Sequence, residues 1–108
     1  MKARSILIFA AAVFLLSTAT IAGAAEKGKS GEALFKENCA MCHPDGGNII
    51  NPQKTLHKKD RDANGVRTPG DIVKKMRNPG PGMTKFDKKA IPGDEAKKIA
   101  EYVVNTFK

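Results

Sequence analysis

Apolar residues in this 108-residue chain recur at spacings of three or four, and no segment shows a convincing apolar–polar alternation. That pattern predicts helices without strands, an all-α fold. Ser30 stands in a capping position ahead of Ala33, Leu34 and Phe35, and the helix it opens runs towards Cys39. The cluster Pro44-Asp45-Gly46-Gly47-Asn48 predicts a loop over residues 44–51. A short polar helix is expected from Thr55 to a left-handed stop at Asn64-Gly65. Thr68-Pro69-Gly70-Asp71 combines a cap, a proline at the first helical position and an acid three residues on, followed by the apolar face Ile72, Val73 and Met76. Asn78-Pro79-Gly80-Pro81-Gly82 interrupts any regular structure and leads into Met83. A last helix is expected to begin between Pro92 and Asp94. It presents Ala96, Ile99, Ala100, Val103 and Phe107 on one face and Lys97, Lys98 and Glu101 on the other.

The first 25 residues follow a different rule. Lys2 and Arg4 precede an uninterrupted apolar stretch over residues 6–16, and Ala22-Gly23-Ala24 supplies a small-residue cleavage signature, with Gly23-Ala24-Ala25 as an alternative one step later. This is the pattern of a secretory signal peptide, residues 1–25, cleaved near Ala24 or Ala25. The competing reading is an uncleaved anchor, since residues 5–25 hold no charge over 21 positions, a length that can span a bilayer. Ser17, Thr18, Thr20 and Gly23 weaken that reading, and no cysteine near the cleavage site offers a lipid attachment point. The expected mature chain, residues 26–108, is a single small domain with no Trp, of the size at which a core of side chains alone is marginal.

Cys39-Ala40-Met41-Cys42-His43 carries the chemistry. Two cysteines separated by two residues and followed at once by a histidine match the spacing that attaches haem covalently. Each thiol adds to one vinyl group, and the imidazole of His43 falls over the iron as an axial ligand. Cys39 and Cys42 are the chain's only cysteines. A thioredoxin-like redox pair would want a βαβ context, and a structural zinc site would want four ligands where only His57 remains as a further histidine. A disulfide between the two cysteines would leave His43 unexplained. Covalent haem attachment in bacteria takes place outside the cytoplasm, so the motif and the export signal support one another.

The iron's second face decides between a closed redox centre and an open binding site. Met41 lies inside the motif, too close in sequence to reach the opposite side. Met76 occupies a helical apolar position and reads as core, whereas His57 sits in the charged stretch Leu56-His57-Lys58-Lys59-Asp60 and reads as a solvated surface residue. Met83 lies forty residues after His43 in a Pro/Gly-rich loop that can approach a flat ligand, with Phe86 close behind, and is the candidate axial methionine.

Together these residues resemble a class I c-type cytochrome, most closely the small cytochrome c6-like group. Gly31 and Phe35 are similar to the Gly-x-x-x-aromatic pair of that family's first helix, and Tyr102 to the aromatic of its last. The segments around His43-Pro44-Asp45-Gly46-Gly47-Asn48 and Asn51-Pro52-x-Lys54-Thr55-Leu56 resemble the loop after the haem, and Asn78 to Phe86 resembles the loop of the methionine ligand. The resemblance implies N- and C-terminal helices that cross at a glycine, loops wrapping one covalent haem c, and His43/Met83 ligation. It also implies a soluble one-electron carrier, not an enzyme, akin to monohaem proteins of respiratory electron transfer in metal-reducing bacteria. A carbonyl accepting from His43 Nδ1 is expected in the Asn51-Pro52 region. One departure stands out: the family usually has proline directly after its methionine ligand, and here Thr84 follows Met83.

Charge adds a partner. The chain has a net charge of +8, and without Lys2 and Arg4 its 17 basic against 11 acidic side chains leave +6. Two haem propionates would bring this to about +4. Lys58, Lys59, Lys74, Lys75, Lys85, Lys88 and Lys89 could ring the haem edge and steer a redox partner with an acidic docking surface; a merely solvated basic surface is the alternative. Export argues against nucleic acid as the partner. The expected protein is a periplasmic monomer, not inserted in a membrane after cleavage. A haem sensor with a displaceable Met83 is the main alternative, and a small peroxidase is disfavoured because no distal acid–base pair is identifiable.

Overall fold

The computed structural model describes residues 28–108; the expected signal peptide lies outside the described residues. Four α-helices follow one another: α1 Gly31–Asn38, α2 Lys58–Ala63, α3 Pro69–Arg77 and α4 Gly93–Thr106. Among the described residues there is no strand, and no helix is long and apolar enough to cross a membrane.

Local signals set most boundaries. Ser30 Oγ accepts from the backbone N–H of Ala33 at 3.2 Å and starts α1. At α3 the capping box is complete: the N–H of Asp71 donates to Thr68 Oγ1 at 3.1 Å, and the N–H of Thr68 donates back to the Asp71 carboxylate at 3.0 Å. The start of α2 differs from the expected Thr55. Leu56 donates its N–H to the Gly46 carbonyl at 2.7 Å and His57 is extended, so the helix begins only at Lys58. Its end falls as expected, with Gly65 at φ 72° directly after Asn64.

The longest helix, α4, is the organising element and packs against both α1 and α3. Ala96, Ile99, Ala100, Val103 and Phe107 are all buried, together with Leu34 and Phe35 of α1 and Ile72 and Met76 of α3. Burying each large aliphatic side chain stabilises the fold by roughly 1.5–3 kcal/mol. Gly31 lets α1 reach α4: a Cβ placed there would lie 2.3 Å from the Lys98 carbonyl oxygen and 3.0 Å from Tyr102 Cβ. Phe35 then packs between Tyr102 and Phe107, with ring centroids 5.3 and 5.4 Å away. Lys98 is therefore only half-exposed, whereas Lys97 and Glu101 are exposed.

Candidate cofactor site

Below these helices lies a cavity of about 290 Å³, close to the lower end of ligand sites, at roughly 300 Å³. Much of its wall is apolar, from Phe35, Leu56, Ile72, Met76, Ile99 and Val103. Cys39, Cys42, His43 and Met83 also line it, so the four site residues picked out in the sequence surround one space. The chain continues from α1 in helix-like turns, Ala40 donating to the Phe35 carbonyl at 3.0 Å and His43 to the Cys39 carbonyl at 2.9 Å. That winding leaves Cys39, Cys42 and His43 half-buried and turns Met41 out to 87% exposure, away from any ligand role.

His43 is already oriented. Its Nδ1 lies 2.7 Å from the Gly47 carbonyl oxygen, and a carbonyl can only accept, so Nδ1 carries a proton and, in the neutral ring, Nε2 is the nitrogen with the lone pair. The acceptor is thus Gly47 and not a carbonyl of the Asn51-Pro52 region. A 3₁₀ turn over Pro44–Gly46, with Asp45 at φ 52° and Gly46 at φ 78°, folds the chain back within four residues. Gly46 must be glycine for a second reason: a Cβ would lie 2.5 Å from the Phe107 ring.

The surroundings of Cys39 do not favour a reactive thiolate. Burial, and then the neighbouring Cys42, push the Cys39 thiol up to about 11, so it stays protonated near neutral pH. A disulfide oxidoreductase needs the opposite shift. No group of three or more metal-binding side chains occurs among the described residues, which leaves zinc without a ligand set.

Two methionines also line the cavity. Met76 is 2% exposed and belongs to the core, as its helical position implies. Met83 is 36% exposed and comes from the loop, which its neighbours hold in place. Gly82, at φ 88°, approaches Ile50 so closely that a Cβ would sit 3.0 Å from Ile50 Cγ2. Arg77 secures the loop base, its Nη1 donating to the carbonyls of Phe86 and Ile91 at 3.0 and 2.9 Å.

His57 is exposed, as expected of a solvated residue, although its ring meets Phe107 edge-on at 5.8 Å. All seven lysines proposed to ring the site are exposed, but of these only Lys75 lines the cavity; Lys54 joins it. Lys58 instead pairs with Asp62 on α2. Gly47, Arg61 and Arg77 leave no trace in the hydrophobic pattern, because their roles rest on turns and burial that only the tertiary fold creates.

A four-helix chain closing on an apolar cavity that is lined by Cys-x-x-Cys-His and by a loop methionine defines a class I c-type cytochrome. Comparison with known proteins agrees. The family model described as cytochrome c oxidase, cbb3-type, subunit III matches residues 26–103. A cytochrome c6 of Rippkaea orientalis is 34% identical over 104 residues, covering 96% of this chain and 93% of the relative. The solved structure of OmcF, outer membrane cytochrome F from Geobacter sulfurreducens, is 51% identical over 73% of this chain and all of its own, with a TM-score of 0.72. Cytochrome c6C from Synechococcus sp. PCC 7002 is 25% identical over 73% of this chain and 95% of its own, with a TM-score of 0.68. The chain belongs to the class I c-type cytochromes, in the cytochrome c6-like group. It is a monohaem electron carrier holding one covalent haem c, and not an enzyme.

Proposed function

We propose that the chain shuttles single electrons between redox proteins of a periplasmic respiratory pathway, and that Cys39 and Cys42 would hold the haem covalently and His43 Nε2 and Met83 Sδ would bind its iron. The bound haem supplies a one-electron ferric/ferrous couple. The chain's own residues do the rest. The Gly47 carbonyl fixes the His43 ring and increases its basicity as a ligand. The apolar part of the wall would lower the polarity around a bound haem, and the held loop would limit how far Met83 moves. The observation that carries this reading is the orientation of His43, with Nε2 free, in a cavity that Met83 also lines. His/Met ligation raises the reduction potential and closes the iron to small molecules.

The leader pattern over residues 1–25 supports export to the periplasm. The excess of exposed lysines supports a transient partner with an acidic surface, met by a monomer. Exposure of Met83 favours a second reading, a ligand sensor in which this methionine is displaced. One spectrum decides between them. A long-wavelength sulfur-to-iron charge-transfer band in the ferric protein is expected for the carrier. A high-spin ferric protein whose ferrous form binds carbon monoxide readily would sink it.

A further inference from the structure

Arg61 is the one buried charged side chain among the described residues, at 4% exposure. Its Nε donates to the Leu56 carbonyl at 2.7 Å and its Nη2 to the Phe107 carbonyl at 3.3 Å. Both acceptors are neutral, and none of the ion pairs among the described residues includes Arg61. A guanidinium remains charged at any pH a protein meets, and a buried cation without a counter-charge is strongly unfavourable. The two carbonyls account for two of its five N–H groups, and the carboxylate whose charge it feels, Asp62 on the exposed side of α2, is hydrogen-bonded to Lys58 instead.

The location of Arg61 bears on what a bound cofactor would meet there. It lines the same cavity as Cys39, Cys42, His43 and Met83. Haem brings two propionate carboxylates to that cavity. The other cations on the wall, Lys54 and Lys75, are exposed and hydrated, so burial compels neither of them to pair. We propose that Arg61 binds a haem propionate, with the Leu56 and Phe107 carbonyls holding its guanidinium in position. The inference rests on the haem reading above and deepens it. A carboxylate close to the iron favours the ferric state, and pairing with Arg61 offsets that bias. Arg61 therefore raises the reduction potential through charge, and joins the C-terminal segment to the cofactor.

The test compares the haem-loaded wild type with Arg61→Met and Arg61→Lys, with haem content measured by pyridine haemochrome. Arg61→Met should lower the midpoint potential and shift the proton resonances of one propionate's methylenes. Arg61→Lys should keep the potential near the wild-type value while lowering the melting temperature, because the charge survives and the tethers do not. If both variants melt early with wild-type potentials and propionate resonances, Arg61 is a tether only and the proposal is overturned. A second measurement does not depend on either variant folding: nuclear Overhauser contacts between Arg61 side-chain protons and a propionate methylene of the wild type. Their absence in a chain that carries haem overturns the Arg61 assignment alone, whereas a chain without covalent haem overturns the function beneath it as well.

Discussion

Phe86 donates its backbone N–H to the Met76 carbonyl at 2.9 Å, so the end of α3 and the return of the Met83 loop are joined at one point. Arg77 reinforces the junction, bonding the carbonyl of Phe86 and, beyond it, that of Ile91. Between the ends runs a short span stiffened by Pro79 and Pro81, with Met83 near its tip. Here the closed loop base can do what a proline after the ligand does elsewhere in the family, which leaves Thr84 free of that duty.

Arg77→Met keeps most of the side-chain volume and removes both donors. A hydrogen bond to a charged group contributes about 1.5–3 kcal/mol, and of the two only the bond to Phe86 closes the loop directly, so opening of the loop should become easier by about 2 kcal/mol. Cyanide should then bind the ferric protein about thirtyfold more tightly, as measured by equilibrium titration. An unchanged affinity would show that Arg77 does not hold the loop.

Met83→His should lower the midpoint potential, because imidazole replaces a thioether that favours the ferrous state. Met83→Ala should abolish the ferric sulfur-to-iron band and let the ferrous protein bind carbon monoxide. If Met83→His leaves the potential and spectrum untouched, Met83 is not the ligand and Met76 becomes the methionine to test.

Gly31→Ala forces a Cβ to within 2.3 Å of the α4 backbone, which cannot yield as a side-chain tip can. Overpacking of this kind costs about 3 kcal/mol, readable in chemical denaturation of the haem-loaded protein. Gly93→Ala is the contrast: a Cβ added there would meet nothing within 4 Å, so the change should be neutral or stabilise α4 by up to about 1 kcal/mol. Equal effects of the two substitutions would remove the close-approach argument.

Asp71 gives the fold an acid-sensitive element. Hydrogen bonds from the backbone N–H of Thr68, then from that of Arg67 and the Thr68 side chain, hold its carboxyl below the usual range. The unfolded chain, with an ordinary Asp near about 3.9, therefore binds the proton more readily than the folded one. Stabilisation by Asp71 is complete above about pH 5 and fades as the pH falls through the lowered folded value. Wild type should thus be more stable than Asp71→Asn at neutral pH, with the gap narrowing in acid; a gap that stays constant down to the acid transition would refute the linkage.

How far the linear chain announces this structure depends on the range of each interaction. Ser30, Thr68 and Gly65 act on neighbours within four residues, and their helix ends fall where local rules put them. The α4 stripe is equally plain, since one periodicity covers fourteen residues. Thr55 misleads because the Gly46 carbonyl, nine positions earlier, captures Leu56 and delays α2. The acceptor for His43 hides in a tight turn that depends on Asp45 adopting a positive φ. Arg61 hides most completely: Lys58-Lys59-Asp60-Arg61-Asp62 reads as a solvated surface, and only the docking of the C-terminal segment buries its fourth member.

That docking centres on Phe107. Its ring rests on Gly46 and against Phe35, and its carbonyl accepts from Lys58 and Arg61. Phe107 lies more than sixty positions after Cys42, so this docking is a long-range step of folding. Until then neither the turn behind His43 nor the packing around Phe35 can close. Before Phe107 docks, the two cysteines thus lie on an open stretch of polypeptide, where a vinyl group reaches the thiols more easily than in the closed fold. One aromatic residue just past α4 sets that order of closing.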